Sequence, residues 1–413
     1  MSAPLRHSCR TAPPRTPPTT AMAAGLALAL ASACRPAESH DVTMRSDSVG
    51  VEIVTSDPSR SDATCTLSDE PIFRVGNNES EEAQWFSSIR GAGRLSDGSV
   101  AVIDRASAEI RIFDSAGRHV RSMGRYGEGP GEFRNAWKLW VLPGDTLWAG
   151  DYRPWRYNVF TSGGEWVRAV EMEPIYGNPS RMGGVLDNAV SINTVWKRAS
   201  PWDFKTPDTI VVEVHGTDGE RLETLAPILH TTYGPEGMYR IFTASAVVQA
   251  GGTTIALART SEPEVRLLDD ELRLRRILRW PDTDRSVTGA DVQAWRNDYI
   301  ESRGGRNSPN WGPLDDVVVS DETPAADVFP AFSAVEIGRD GRVWVLPYAR
   351  PQTEAPRWMG FAADGRFLCH LQHDNPELTA TYEFGADYWL GVHTDELGVE
   401  TVVVYRLTMP GDS

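Results

Sequence analysis

Lysine is nearly missing from this chain: among 41 basic residues only Lys138, Lys197 and Lys205 are lysine. The rest are arginine, a bias that base composition alone produces, so it carries no functional weight. Net positive charge is lacking as well, because 57 acids leave a formal charge of −16, and the acid-free residues 1–33 hold three of the arginines. Such a surface repels phosphate backbones and anionic headgroups, which argues against nucleic-acid partners and against direct membrane contact by the protein surface. Cysteine occurs four times, too sparsely for a disulfide-dense scaffold. No CxxC, HExxH or GxSxG is present, so the common zinc and hydrolase signatures are absent. The apolar run AMAAGLALALASA at 21–33 is too short to cross a bilayer comfortably.

That run suits the core of a signal peptide, with Arg6, Arg10 and Arg15 upstream, so residues 1–33 are read as a signal peptide and the chain as exported. Leu30-Ala31-Ser32-Ala33-Cys34 resembles a bacterial lipobox, with Ala31 where leucine is favoured, and makes Cys34 the lipidated new N-terminus. Ordinary cleavage after the small residues is the other reading. Residues 34–48 then form a lipidated cysteine and tether, and the expected address is the cell envelope, lipid-anchored on its periplasmic or cell-surface side. Membrane contact would run only through that lipid. Cys9 leaves with the signal, so Cys65 and Cys369 remain as one possible disulfide or as two buried thiols.

What is abundant is alternation. In residues 93–124 the runs SVAVID, EIRIFD and HVRSMG are separated by turn residues, and Phe113-Asp114-Ser115-Ala116-Gly117 is echoed at 160–164, 214–219 and 361–365. A further copy at 268–273 has lost its glycine. Upstream of each copy lies another hairpin signal (SDGS, PGDT, DNAV, AGGT, RDGR, and GADY in the last unit), giving four strands per unit. Repeats of this kind predict an all-β, six-bladed β-propeller over residues 49–413. The last unit ends on its third strand, Glu400–Leu407, and Pro71–Gly76 is expected to supply the fourth and close the ring. Residues 282–328 interrupt the period between blades 4 and 5. There Thr288-Gly289-Ala290-Asp291 reads as a helix start, predicting a short helical insertion.

V-x-D at 102–104, R-I-F-D-x-x-G-x-x-V at 111–120 and the connector GRYGEGPGEF at 124–133 resemble the NHL-repeat type of propeller. More closely, the chain over 49–413 resembles bacterial six-bladed propeller lipoproteins of unassigned function. It departs from the NHL pattern at Ser107 and Glu109, where that repeat usually has Asn and Arg. The connector lacks the Lys-Ser/Thr ending of a phosphate loop and is read as a link between blades.

Strand direction puts the crossovers between blades on one face and the tight hairpins on the other. Trp196, Trp202, Trp295, Trp311, Tyr233 and Tyr239 fall in long loops of the crossover face, which makes that face the candidate binding surface for a protein, peptide or glycan. The other reading has these aromatics plug and cap the ring. Asp104, Asp151, Asn193, Arg259, Tyr348 and His393 end the second strands. Resemblance to calcium-dependent lactonase propellers would make Asp104, Asp151 and Asn193 axial Ca²⁺ ligands, whereas local chemistry makes them turn-forming residues, with Arg259 opposing a cation. His370 and His373 point to opposite sides of a strand and do not suit a shared metal. The expected function is therefore a binding or scaffolding module without a cofactor, the alternative being a Ca²⁺-dependent lactonase or lyase.

Overall fold

Turn glycines divide the chain into short apolar strands, and in the computed structural model these pair in sequence order as antiparallel meanders. The residues described are 43–76, 80–177, 179–197, 208–231, 240–353, 355, 357–371 and 378–411. The first meander is Ile89–Arg94, Val100–Asp104, Glu109–Phe113 and His119–Met123. The second is Ala136–Leu142, Thr146–Asp151, Arg156–Phe160 and Trp166–Glu171. Next come Pro179–Val185, Ser191–Trp196, Asp208–His215 and Arg221–Thr224, then Ala246–Gly251, Thr254–Arg259, Glu264–Asp269 and Leu274–Arg279. Phe332–Ile337, Val343–Pro347, Trp358–Phe361 and Phe367–Leu371 precede a final set, Leu378–Phe384, Tyr388–Thr394 and Glu400–Thr408.

The core lies between neighbouring sheets. Ala101, Ile110 and Leu147 join the first two meanders, Tyr157 and Met182 the second and third, Val343 and Leu278 the fourth and fifth. Leu390 and Val404 of the last meander pack on Val100 and Val102 of the first, which closes the ring. Each sheet is covered on both faces, so strands such as Val100–Asp104 are buried at every position and show no alternation.

The repeated turn glycines are where one sheet meets the next. Gly117, Gly164, Gly219 and Gly365 all have positive φ, and each abuts the outer strand of the preceding sheet. Arginines of those outer strands reach the same turns: Arg121 donates to the Gly163 carbonyl, Arg168 to Thr217 and Arg276 to Ala363. In the copy without glycine, Leu272 carries the positive φ instead. A Cβ at Gly219 would fall on the Glu171 carbonyl. Gly219→Ala is therefore expected to cost at least about 2 kcal/mol in urea unfolding, combining left-handed strain with that collision. Gly398→Ala, with similar φ but open space around it, should cost only about 1 kcal/mol.

The N-terminal segment forms a belt. Phe73–Val75 pairs antiparallel with Glu400–Thr408 as the outer strand of the last meander. Thr64–Leu67 lies parallel to Phe367–Leu371, and Val51–Ser56 parallel to Leu274–Arg279. Residues 43–48, assigned to the tether from sequence, form a strand paired with Val51–Ser56. Their polar side chains are exposed on an outer edge, a place where no apolar pattern is needed. Cys65 and Cys369, both buried, form a disulfide that fixes the belt to the fifth meander.

Residues 282–328 carry a helix, Gly289–Ser302, with Thr288 and Asp291 forming a capping box, and a second short helix, Pro313–Val318. They cover a small aromatic cluster of Phe242, Phe329, Trp295 and Tyr348, separate from the cores between sheets.

Candidate functional site

The first strand of each meander lies innermost, and those of the third and fourth touch directly at Gly184 and Ala250. Where these strands approach their hairpin turns they enclose a cavity of about 280 Å³. Lys138 and Trp140 of the second meander, Gln249 of the fourth, Glu336 of the fifth, and Tyr382 and Glu383 of the last line its wall. The turn residues Ser96, Asp145, Asp187 and Arg339 form its mouth, on the hairpin face.

A polar ladder crosses this cavity. Lys138 Nζ donates to Gln249 Oε1 at 3.4 Å, and Gln249 Nε2 donates to Glu336 Oε1 at 3.0 Å. All three line the cavity and are half-buried. Burial pushes the Lys138 amine down, helped by Arg181 and opposed by Glu336. It pushes the Glu336 carboxyl up, opposed by Lys138, Gln249 and Arg181. Both shifts move the pair towards its neutral form. Beside the ladder, Arg339 Nε pairs with Glu383 Oε2 at 2.9 Å, and the Tyr388 hydroxyl donates to Glu383 Oε1. Burial raises the Glu383 carboxyl against the pull of Arg339. At the mouth, Ser96 donates through its N–H at 2.9 Å and its hydroxyl at 2.6 Å to Asp145.

Asp104, Asp151 and Asn193 do not converge, because the second strand stands behind the inner strand that lines the axis. Asp104 accepts from the N–H groups of Ser88 and Ala106, and Asp151 from those of Arg134 and Asn135 and from Arg156. Each carboxylate ties a crossover to its own sheet, which is the turn-forming role. Arg259 donates to Ser261, Tyr348 packs on Phe242 and Phe329, and His393 meets the Tyr405 hydroxyl. Among the described residues no three of His, Cys, Asp and Glu gather as a metal site. His370 contacts the Pro58 carbonyl at 3.0 Å, and His373 lies outside the described residues.

Asn193 belongs to a buried chain between the second and third meanders. The Tyr157 hydroxyl donates to its Oδ1 at 2.8 Å, and its Nδ2 lies 3.2 Å from His215 Nδ1. With Nδ1 accepting, Nε2 carries the proton and faces Glu213 Oε2 at 3.5 Å. Burial, reinforced by Arg221, brings the His215 pKa down to about 4 from 6.5. Between pH 6.5 and 4 the unfolded chain thus takes a proton that the fold refuses, and stability falls as pH falls through that window, by about 3 kcal/mol. Burial raises the Glu213 carboxyl, a contribution of opposite sign that is lost as pH rises. His215→Gln should flatten the acid limb of melting temperature against pH. An unchanged limb would assign it to other groups, such as His370, whose pKa burial also lowers.

Of the aromatic candidates, Trp202, Tyr233 and Tyr239 lie outside the described residues. Trp196 meets His230 edge to face, Trp295 stacks on Tyr299, and Trp311 donates to Asp316 at 3.0 Å beneath Arg306. All three are half-buried in the protein's own contacts.

Antiparallel sheets arranged radially, packed face to face around an axis and joined last to first, define a β-propeller. No family model matches the chain, and no curated protein matches it. Among solved structures it is similar to a Bacteroides fragilis protein assigned as exported, at 11% identity with 86% of this chain and 99% of the other covered and a TM-score of 0.52. It is also similar to a DUF4221 family member from Bacteroides vulgatus, at 10% identity, 84% and 99% coverage and a TM-score of 0.48. For regucalcin, a calcium-binding protein from Agrobacterium tumefaciens, the values are 9%, 85%, 97% and 0.39. At these identities the first likeness shows the fold alone, and the other two carry no argument about function.

Proposed function

We propose that this chain is an exported, lipid-anchored, six-bladed propeller that serves as a binding module and seats its ligand in the axial cavity. One observation carries the reading: Lys138, Gln249 and Glu336, on three different inner strands, bring polar groups together in the lining of one cavity. Burying ionisable groups costs stability, and apolar residues would fill a purely structural axis more favourably. The buried disulfide suits an oxidising compartment. No helix among the described residues is long and apolar enough to cross a membrane, and Cys34 lies outside them. Cys34→Ser should release the protein from the membrane fraction with its melt intact, and a wild type already soluble after fractionation would refute the anchor. For the ligand seat, a thermal-shift screen of polar metabolites should find compounds that stabilise the wild type but not Asp187→Trp, which plugs the mouth. Stabilisers that act equally on both would place the seat elsewhere.

A further inference from the structure

We infer that the axial cavity takes an uncharged, hydroxyl-rich ligand of mono- or disaccharide size. This rests on the cavity being the ligand seat and adds the class of what it holds. The volume, about 280 Å³, lies at the small end for ligand pockets and admits one or two sugar rings. Charge in the wall is balanced: Lys138 and Glu336 are each hydrogen-bonded to Gln249 between them, and Arg339 pairs with Glu383 directly. An entering anion passes Asp145 and Asp187 at the mouth as well as Arg339, and in the wall it meets the Glu336 and Glu383 carboxylates beside each cation. A cation meets Lys138 and Arg339 beside the same carboxylates.

A hydroxyl group fits without breaking the ladder. It donates and accepts at once, which matches an ammonium with three donors, a carboxamide with two donors and an acceptor, and a carboxylate with several lone pairs. Lys138 uses one donor on Gln249, and Glu336 accepts on Oε1. Burial lowers the Lys138 pKa and raises that of Glu336, which reduces the charge that the ladder presents to a charged ligand. Trp140 and Tyr382 add aromatic wall for the C–H face of a sugar ring.

The test is calorimetric titration of the mature protein with three probe sets: neutral mono- and disaccharides, free amino acids, and dicarboxylates. Neutral sugars alone should bind, and Lys138→Met and Glu336→Gln should each weaken binding at least tenfold. If a variant fails to fold, acylation of wild-type Lys138, followed by peptide mass mapping against Lys197 and Lys205, replaces it, and bound sugar should slow Lys138 selectively. Amino acids or dicarboxylates that bind and protect Lys138 while sugars do not would overturn the class and leave the seat standing. Sugar binding that neither protects Lys138 nor responds to the variants would overturn the assignment to this cavity. If no probe binds or protects Lys138, and none of the screen's stabilisers is lost in Asp187→Trp, class and seat fall together.

Discussion

Deleting residues 71–76 should abolish cooperative unfolding of the whole ring. Phe73 and Val75 are buried between the last and first meanders, where they meet the cluster containing Val100, Leu390 and Val404. Each side chain is worth about 1.5–3 kcal/mol of burial, a large share of the net stability of any domain. The same deletion strips the Val402, Val403 and Val404 backbone of its partner and leaves an apolar edge strand open, a template for aggregation. The truncated protein is expected to aggregate on expression or to melt broadly. A soluble product with an unchanged, single sharp transition would mean that the ring does not need this strand.

Replacing Cys65 and Cys369 together by serine should lower unfolding stability by about 2–4 kcal/mol, towards the upper end because the bond closes a loop spanning 304 positions. The effect has a local signature. Thr64–Leu67 is a short strand with two paired positions each to Phe367–Leu371 and to the end of Glu400–Thr408, and the segment before it is held by Val51–Ser56 on Leu274–Arg279 and by half-exposed ion pairs such as Arg276 with Glu52. Limited proteolysis should therefore cut residues 57–70 of the double variant before any other region. Equal protease resistance in both proteins would show that pairing alone holds the belt.

The fold was legible because its repeating unit is local. Each hairpin announces itself by a turn glycine or an Asp-Gly-like pair, and strand order follows chain order, so no distant pairing had to be guessed. Long-range pairings showed less. Phe73–Val75 could be placed because the last unit lacked a strand, but nothing in TMRSDS marks a belt strand, since an outer edge imposes no apolar pattern. The proposed seat is lined by a single charged or carboxamide residue in each of four inner strands: Lys138 in AWKLWVL, Gln249 in AVVQAG, Glu336 in FSAVEI and Glu383 in LTATYEF. That recurrence, one to four positions before the strand's end, was the available signal. One of the three scarce lysines, Lys138, lines the axial cavity. For Asp104 and Asp151, a carboxylate that ties down a crossover and one that holds a metal occupy the same place in sequence, so the pattern alone does not separate the two roles.

The seat itself is tested most directly by a crystal structure of the mature protein saturated with a compound that raises its melting temperature. The ligand should lie on the axis between Lys138 and Glu336, entered past Asp145 and Asp187. A ligand resting instead on the crossover face against Trp196 or Trp311, with the axial cavity unchanged, would contradict the assignment.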